Sequence, residues 1–239
     1  MLETQKLFRD NAYLKNCNAT VLAVNDRNGI ILDRTVFYPT GGGQPGDVGI
    51  IEGHGKIVKI ATTVKDRDSG EIIHVASDSQ VLFEVGDTVS LSIDWQLRYQ
   101  KMRMHTALHL LCAVVPCGVT GGQIGDVKSR LDFDIGDTTL DKGQITLAIN
   151  ELVKANHAVS TEWITDLELS QNPELVRTMS VQPPKGAGKI RLLRIGESVD
   201  LQPCGGTHVK TTGEIGGIRV SKIENKGKRN RRVNIVFDD

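Results

Sequence analysis

The sequence lacks the long apolar segments of a membrane protein or a secreted precursor. No apolar run approaches the roughly 20 residues that are needed to cross a bilayer, and Met1–Lys6 contains no apolar signal-peptide core. The cysteines do not show the spacing of a disulfide-stabilised small domain; they are Cys17, Cys112, Cys117 and Cys204. We therefore expect a soluble, reduced, cytoplasmic protein with no membrane partner.

The sequence also lacks an excess of either charge, because 29 Lys and Arg residues balance 29 Asp and Glu residues. Net charge therefore neither favours nor excludes a nucleic-acid partner, and the distribution of charge is more informative. Basic residues are concentrated near the C-terminus, at Lys222, Lys226, Lys228, Arg229, Arg231 and Arg232. This basic run is either the solvated face of a hairpin or a surface that contacts phosphate.

No nucleotide-binding motif is present. The loop that contains Gly41, Gly42, Gly43 and Gln44 is bracketed by two prolines, but no Gly-Lys-Ser/Thr follows it and it does not match G-x-G-x-x-G. We therefore expect no nucleotide cofactor. Three glycines permit close approach of a ligand or of another chain segment, but as a lone feature such a loop is more often a structural turn. Both interpretations of this glycine-rich loop stay open.

The pattern of apolar residues predicts an α+β fold. Residues 1–92 contain short β-type runs separated by glycine and aspartate turns, which favours a small β-barrel or a sandwich. From Trp95 to Val115 the chain lacks Gly and Pro, and its apolar residues recur at helical spacing. We predict an N-terminal small β-barrel domain over residues 1–92, followed by an α+β domain over residues 93–239.

Two segments of the second domain are predicted from local pattern. Residues Val119–Gly125 are polar and rich in glycine, which is typical of a flexible link. Thr146–His157 has the pattern of a second long helix. The chain then closes with strands around the basic run.

Two pairs of residues have the spacing of metal ligands. His105 and His109 lie four apart in the predicted helix, so their imidazoles point from the same face. Cys204 and His208 are joined by Gly-Gly-Thr, which lets the short segment fold back on itself. Imidazole and thiolate are donors that Zn2+ prefers. We predict that the four residues share one zinc ion per chain.

Each histidine by itself is more simply explained as a surface or core residue, and the prediction depends on the two pairs together. A zinc metalloprotease would need H-E-x-x-H, but position 106 is threonine. On the same helix, Arg98, Lys101 and Arg103 precede the histidines, so positive charge lies near the predicted metal. These cations are either a solvated face or part of the site for an anionic partner.

The order of motifs resembles a known family. His105–Leu111, Ser129–Phe133 and Cys204–Gly216 are similar to the editing domain of alanyl-tRNA synthetase and to the freestanding AlaX-type trans-editing proteins. The Gly41–Asp47 loop resembles the glycine-rich motif of the β-domain that precedes the editing core in the synthetase and in longer AlaX proteins. The resemblance covers nearly the whole chain.

This resemblance implies hydrolysis of the ester between a wrong amino acid, serine or glycine, and the 3′ end of alanine tRNA. The zinc ligands would again be His105, His109, Cys204 and His208. Residues that line or support the substrate site would be Thr120, Gln123 and Arg130. The candidates for contact with tRNA are Arg98, Lys101, Arg103, Lys226, Lys228, Arg229 and Arg231.

Four matters stay open in the sequence. Four protein ligands saturate tetrahedral zinc, which is typical of a structural site, so one ligand exchanges with water or the metal orders the pocket. A zinc-stabilised tRNA-binding module without catalysis would have the same ligands and the same basic run. An editing domain of the threonyl-tRNA synthetase type resembles the same core, but the glycine-rich β-domain favours the alanine system. Nothing in the sequence indicates an oligomeric state.

Overall fold

A computed structural model describes residues 3–77, 83–136, 138–179 and 188–238. The described chain falls into two compact units that divide between Gln100 and Lys101. The first unit is almost entirely β-structure. The second unit contains both helices and strands, and each unit is described by itself below.

The first unit consists of short strands and one helical turn. Its strands are β1 (Gln5–Lys6), β2 (Asn16–Val24), β3 (Gly29–Leu32), β4 (Arg34–Thr35), β5 (Gly49–Gly53), β6 (Lys56–Lys65), β7 (Ile72–Ala76) and β8 (Thr88–Ile93). The single turn of helix, α1, spans Leu7–Asp10. β1 and β4 form a separate parallel pair.

Six strands close into a barrel in the order β2-β3-β7-β6-β5-β8. Apolar and polar residues alternate along them, as strands with one buried face require. In β8, for example, Val89, Leu91 and Ile93 are buried, whereas Thr88 and Ser90 are exposed. The inward side chains form one apolar core that fills the barrel. The predicted N-terminal β-barrel is confirmed.

The glycine-rich loop closes as a tight turn in the first unit. Gly41 and Gln44 exchange backbone hydrogen bonds of 3.1 and 2.9 Å, and Gly42 and Gly43 have positive φ angles of 57° and 80°. Positive φ at both central residues is typical of a type I′ turn, which glycine adopts without strain. The hydroxyl of Tyr38 donates to the Gly41 carbonyl at 2.8 Å and holds the turn in place.

The long helix α2 spans Trp95–Val114, so it begins in the first unit and continues into the second. The remaining elements are β9 (Gly118–Gln123), β10 (Lys128–Asp134), α3 (Lys142–Lys154), β11 (Val159–Thr165), α4 (Asp166–Gln171), β12 (Lys189–Ile195), β13 (Asp200–Pro203), β14 (Ile218–Asn225) and β15 (Asn230–Phe237). Short 3-10 turns cover Pro173–Leu175 and Thr212–Ile215. Within the described ranges, no helix is both long and apolar enough to cross a membrane.

The strands of the second unit form two antiparallel sheets. One has the order β14-β15-β10-β9 and the other the order β11-β12-β13. Alternate residues of β10, Ser129, Leu131 and Phe133, are buried, as expected for a sheet with one face in the core. The predicted α+β fold is confirmed.

One local prediction for this unit is wrong, and the predicted second helix is present with different bounds. The Val119–Gly125 segment is not a flexible link, because most of it forms the edge strand β9, which pairs with β10 through a bulge. The second helix is Lys142–Lys154 rather than Thr146–His157. It begins earlier because the Asp141 side chain caps it by accepting from the Gln144 N–H at 2.7 Å. It ends earlier because Asn156 adopts a positive φ of 51°.

Candidate metal centre

Four side chains of the second unit converge on one point. His105 and His109 project from the same face of α2, one turn apart. Cys204 and His208 come from the loop that follows β13. One nitrogen or sulfur atom from each of the four residues lies within 4.8 Å of the other three. The three imidazoles are each 6% exposed and Cys204 is partly exposed, so solvent access to the cluster is limited.

The spacing of these atoms suits a tetrahedral metal ion. Cys204 Sγ lies 3.2 Å from His208 Nε2 and 3.6 Å from His105 Nε2. Zinc bonds of about 2.0–2.3 Å at tetrahedral angles would separate sulfur from nitrogen by about 3.5 Å. The donor set and its geometry therefore fit a metal ion, and the residues that would hold it are His105, His109, Cys204 and His208.

The orientation of His208 is fixed by Thr106. The Thr106 hydroxyl donates to the Met102 carbonyl at 2.9 Å, so it is left to accept from His208 Nδ1–H at 3.2 Å. It also accepts from the Val209 N–H at 3.3 Å. This tautomer leaves the lone pair of His208 Nε2 directed at the cluster. The threonine that excludes the H-E-x-x-H motif thus has a positioning role.

The orientation of His109 is fixed by Asp200. His109 Nδ1 donates to Asp200 Oδ2 at 2.8 Å, so Nε2 is the nitrogen that faces the cluster. The amide nitrogen of Gln202 donates to the same carboxylate oxygen at 2.8 Å and lies 3.0 Å from His109 Nδ1. Both residues are buried. A carboxylate behind a ligating histidine is a recurrent arrangement in metal sites because it fixes the tautomer.

The electrostatics of the cluster favour the ligand forms of two residues. Burial by itself would raise the pKa of the Cys204 thiol, but the neighbouring His105 and His208 imidazoles hold this pKa well below its ordinary value. Burial and the neighbouring His105 lower the pKa of His208 well below its usual range. Both shifts in pKa favour the thiolate of Cys204 and the neutral imidazole of His208, which are the forms that bind metal.

The pKa of His109 shifts in the opposite direction from that of His208. Burial opposes its protonation, but hydrogen bonds to Asp200 and Cys204 raise its pKa to about 10. The positive charge on His109 then balances the Cys204 thiolate. His109 Nε2 would lose this proton on binding a metal ion, whose charge would then balance the thiolate.

The loop that carries Cys204 and His208 is held by an arginine. Arg191 Nη1 on β12 donates to the carbonyl of Cys204 at 2.8 Å and to the carbonyl of Gly206 at 3.1 Å. The Cys204 N–H in turn donates to the Arg191 carbonyl at 3.1 Å. These bonds fix the turn between the two loop ligands.

The predicted substrate residues lie in a separate polar network. Thr120 Oγ1 donates to the Asp132 carbonyl at 3.1 Å and accepts from Asn230 Nδ2 at 2.7 Å. Arg130 forms an ion pair of 2.6 Å with Asp132 and lies 3.4 Å from Gln123 Oε1. Burial by itself would raise the pKa of Asp132, but Arg232 and Arg130 lower it. The described partners of Thr120, Gln123 and Arg130 are thus in the sheet of β9, β10 and β15 rather than among the four metal donors.

The predicted tRNA contacts divide into buried and exposed residues. Arg98 is fully buried, where it pairs with Asp47 and donates to the carbonyls of Ala12 and Val36, and Lys101 is only 4% exposed. The prediction is corrected for these two residues, because their charged groups are not on the surface. Arg103 is half-buried, donates to the Ile215 carbonyl and stacks on the ring of Phe237. Lys226, Lys228 and Arg229 are exposed and Arg231 is half-buried on the β14–β15 hairpin.

Comparison with known proteins gives the family. The model described as tRNA synthetases class II (A) matches residues 4–97, and the model for the threonyl and alanyl tRNA synthetase second additional domain matches residues 190–234. The alanyl-tRNA editing protein AlaX-M of Methanosarcina mazei is 35% identical over 96% of this chain and 95% of its own length. Its counterpart in Methanosarcina acetivorans is 34% identical over 99% of this chain and all of its own length. The chain belongs to the AlaX family of alanyl-tRNA editing proteins.

Longer proteins contain a region similar to this AlaX chain. The AlaX-L protein of Pyrococcus horikoshii is 33% identical over 96% of the chain, which covers 57% of that protein. The alanine–tRNA ligase of Pyrobaculum aerophilum is 34% identical over 92% of the chain, which covers 25% of the ligase. The predicted resemblance to AlaX-type proteins and to the ligase is confirmed.

Three residues of this AlaX centre are missed by reading the sequence. Thr106 lies between the two helical histidines, but its contact with His208 depends on the packing of the loop against α2. Asp200 and Gln202 precede Cys204 by four and two residues. In a strand this spacing places all three side chains on one face, and that alternation is the signal that identifies them.

Proposed function

We propose that this protein hydrolyses the ester bond of mischarged alanine tRNA in trans, with serine as the principal amino acid removed and glycine as the second. The observation that carries the proposal is the four-donor cluster in the second unit. It is built from the same motifs on which the resemblance to editing domains depends. Family membership and the full-length relatives named as editing proteins support this function.

The cofactor that we propose is one Zn2+ ion held by His105, His109, Cys204 and His208. A bound zinc ion supplies a Lewis acid that polarises a carbonyl and lowers the pKa of a bound water to about 7. Thiolate and imidazole donors at the observed separations favour zinc over the hard cations, which prefer oxygen ligands.

The protein itself contributes position and exclusion of water. An aminoacyl ester is already activated, so the enzyme chiefly needs to hold the ester beside a water molecule. Asp200 keeps His109 oriented, and Thr106 does the same for His208. The buried imidazoles limit entry of bulk water, which strengthens electrostatic interactions inside the site.

Selection of serine follows from a physical limit on recognition of alanine. A pocket that accepts alanine discriminates against one small change in the side chain by only about 1–3 kcal/mol, so a second site must remove the errors. A polar site that binds the serine hydroxyl would leave its polar groups unpaired with alanine. We propose Thr120, Gln123 and Arg130 as residues that bind or support the substrate.

The proposed partner is the acceptor end of alanine tRNA. Exposed cations on the β14–β15 hairpin, namely Lys226, Lys228 and Arg229, supply the positive charge for phosphate contact. Lys226 and Arg229 pair with Glu224 and Asp134 but remain exposed, whereas Arg231 and Arg103 are half-buried. We therefore expect the first three residues to contribute most of the electrostatic part of the affinity.

One observation favours a second candidate, a zinc-stabilised tRNA-binding module without catalysis. Four protein donors complete the coordination of tetrahedral zinc, and closed sites of this kind are usually structural. The same cluster and the same basic hairpin would serve binding without turnover. This module would bind tRNA in a salt-dependent way and hydrolyse nothing.

The test is deacylation of Ser-, Gly- and Ala-charged alanine tRNA by the purified protein, with zinc quantified in the same preparation. A Cys204→Ala variant serves as the comparison. We expect rapid release of serine by the wild type, with Ala-tRNA spared, and loss of both zinc and activity in the variant. Binding of zinc and tRNA without hydrolysis would reject the enzyme and leave the binding module.

A further inference from the structure

An exposed tryptophan lies on the same sheet as the metal loop. Trp163 on β11 is 49% exposed, and it is one of only two tryptophans in the chain. Large aromatic side chains that remain half exposed offer a face for stacking. The position of Trp163 relative to Cys204 in the sheet indicates which ligand this face could bind.

The register places Trp163 one strand away from Arg191 and two strands away from Cys204. Trp163 on β11 is directly opposite Arg191 on β12. On the other side of β12, the Cys204 N–H donates to the Arg191 carbonyl at 3.1 Å, directly after the paired residues of β13. Neighbouring strands are about 4.8 Å apart, so the backbones of Trp163 and Cys204 are separated by about 10 Å.

Trp163 also belongs to the face of the sheet that carries the metal-site residues. Side chains that are opposite each other, or two apart in a strand, share a face. By this rule Trp163, Arg191 and Leu193 share a face, and Leu193 is opposite Gln202. Gln202 and its neighbour on that face, Asp200, contact His109. The aromatic surface and the cluster are therefore on the same side of this sheet.

Positive charge accompanies the aromatic ring. Lys189 is two residues from Arg191 on β12, is exposed, and pairs with Thr165 at the end of β11. An aromatic ring flanked by a cation is the combination that binds single-stranded nucleotides, because the ring stacks on a base and the cation contacts a phosphate. The separation of about 10 Å between Trp163 and Cys204 is about the length of one nucleoside. A bound aminoacylated nucleoside could therefore stack its base on Trp163 and place its ester carbonyl at the cluster.

We propose that Trp163 is a stacking platform for the adenine base at the 3′ end of the tRNA, with Lys189 contacting a phosphate of the same single-stranded end. The inference rests on the proposed function, because it assigns the place of that substrate's terminal base. Trp163 binds the part of the substrate that does not react, and it thereby places the ester at the cluster.

The kinetic test compares Trp163→Ala with Trp163→Phe in hydrolysis of Ser-charged alanine tRNA. Stacking on an aromatic ring contributes enough that its loss raises KM about tenfold or more, and the phenylalanine variant should recover most of this loss. Leu167→Ala is the matched control, because Leu167 is a nearby apolar side chain that is 66% exposed. It should leave KM unchanged, and all variants should retain bound zinc.

A binding test is independent of catalysis. In a Trp95→Phe background, Trp163 is the sole tryptophan and its fluorescence reports stacking directly. An uncharged acceptor-stem minihelix ending in CCA should quench this fluorescence, whereas a minihelix that ends in CC and lacks the terminal adenosine should quench it much less.

The outcomes separate the two proposals. Quenching by the CCA minihelix without any hydrolysis of Ser-tRNA would retain the platform and reject the enzyme. Hydrolysis with an unchanged KM in Trp163→Ala and no quenching would reject the platform and retain the enzyme. If the wild-type protein self-associates and Trp163→Ala abolishes that association with KM unchanged, the surface serves self-association and the platform is overturned.

Discussion

At the scale of single residues, Thr106 shows how one hydroxyl orients a neighbouring imidazole. Its proton is directed to the Met102 carbonyl, so its oxygen accepts from His208 Nδ1–H and from the Val209 N–H. A Thr106→Val substitution preserves the shape but leaves these buried donors without an acceptor. We expect the metal-free protein to lose about 1–3 kcal/mol of unfolding free energy.

Urea unfolding of the metal-free protein measures this loss, and zinc titration of the same variant measures the effect on affinity. Thr106→Ser is the matched control, because it restores the hydroxyl and should recover most of both losses. Equal stability of the valine and serine variants would show that the hydroxyl does not orient His208.

Asp200 orients His109 rather than His208. For this residue we predict a change in zinc affinity rather than in unfolding free energy. An Asp200→Asn substitution keeps the volume but removes the charge that holds His109 Nδ1–H. Loss of such a supporting carboxylate typically weakens metal binding about 10–100-fold. Competition for zinc with a chromophoric chelator measures the change. Glu197→Gln, at an exposed acid shortly before β13, should bind zinc as the wild type does.

The two pairs of metal ligands were predictable from the sequence, but the residues that orient them, Thr106 and Asp200, were not. A spacing of four in a helix, or a Gly-Gly-Thr turn, brings two ligands together through local geometry. Thr106 and Asp200 act across elements that are far apart in the chain, so their contacts exist only after tertiary packing. Arg98 was predicted from the sequence as a candidate for contact with tRNA, but it is fully buried and pairs with Asp47.

At the scale of elements, the barrel holds a buried histidine that links its stability to pH. His74 on β7 is fully buried, lies 3.0 Å from the Ile30 carbonyl through Nδ1 and accepts from the Thr35 hydroxyl through Nε2 at 2.8 Å. Burial lowers its pKa from 6.5 to about 4. Between these two values the unfolded chain binds a proton that the folded barrel does not, so falling pH favours unfolding.

We therefore expect the unfolding free energy of the barrel to be unaffected by His74 above about pH 6.5 and to fall by up to about 3 kcal/mol toward pH 4. Urea unfolding monitored by Trp95, in a Trp163→Phe background, measures this dependence. His74→Asn should flatten the profile in that window, whereas His54→Asn, at a histidine on the barrel surface, should retain the slope. An unchanged slope in His74→Asn would contradict the assignment.

The strand β9 shows why some elements escape prediction from sequence. Its residues include Gly121 and Gly122, and they lack the apolar alternation that identifies a strand. It forms because β10 offers an edge to pair with, and a bulge at Asp132/Phe133 absorbs the irregular register. By contrast, the barrel strands were predictable because one of their faces is buried.

At the scale of the whole molecule, neutral net charge makes tRNA affinity depend on local patches. We expect KM for Ser-tRNA to rise with salt and the triple variant Lys226→Gln, Lys228→Gln, Arg229→Gln to weaken that dependence. Each lost phosphate contact should reduce the slope of log affinity against log salt by about 0.7–0.9. The matched control replaces three exposed cations of the first unit, Arg9, Arg27 and Lys59, with glutamine. If both triple variants change the slope equally, the hairpin is not the phosphate-contacting surface.

The four metal donors come from two distant parts of the chain, so metal binding restricts the unfolded state. His105 and His109 are about a hundred residues before Cys204 and His208, so a bound ion closes a long loop as a cross-link would. Closing a loop of about 100 residues restricts the unfolded chain by an amount comparable to a disulfide, about 4–5 kcal/mol. Zinc affinity should therefore report how completely the second unit has folded. A fragment ending before β13 would retain two histidines and lose the tight site.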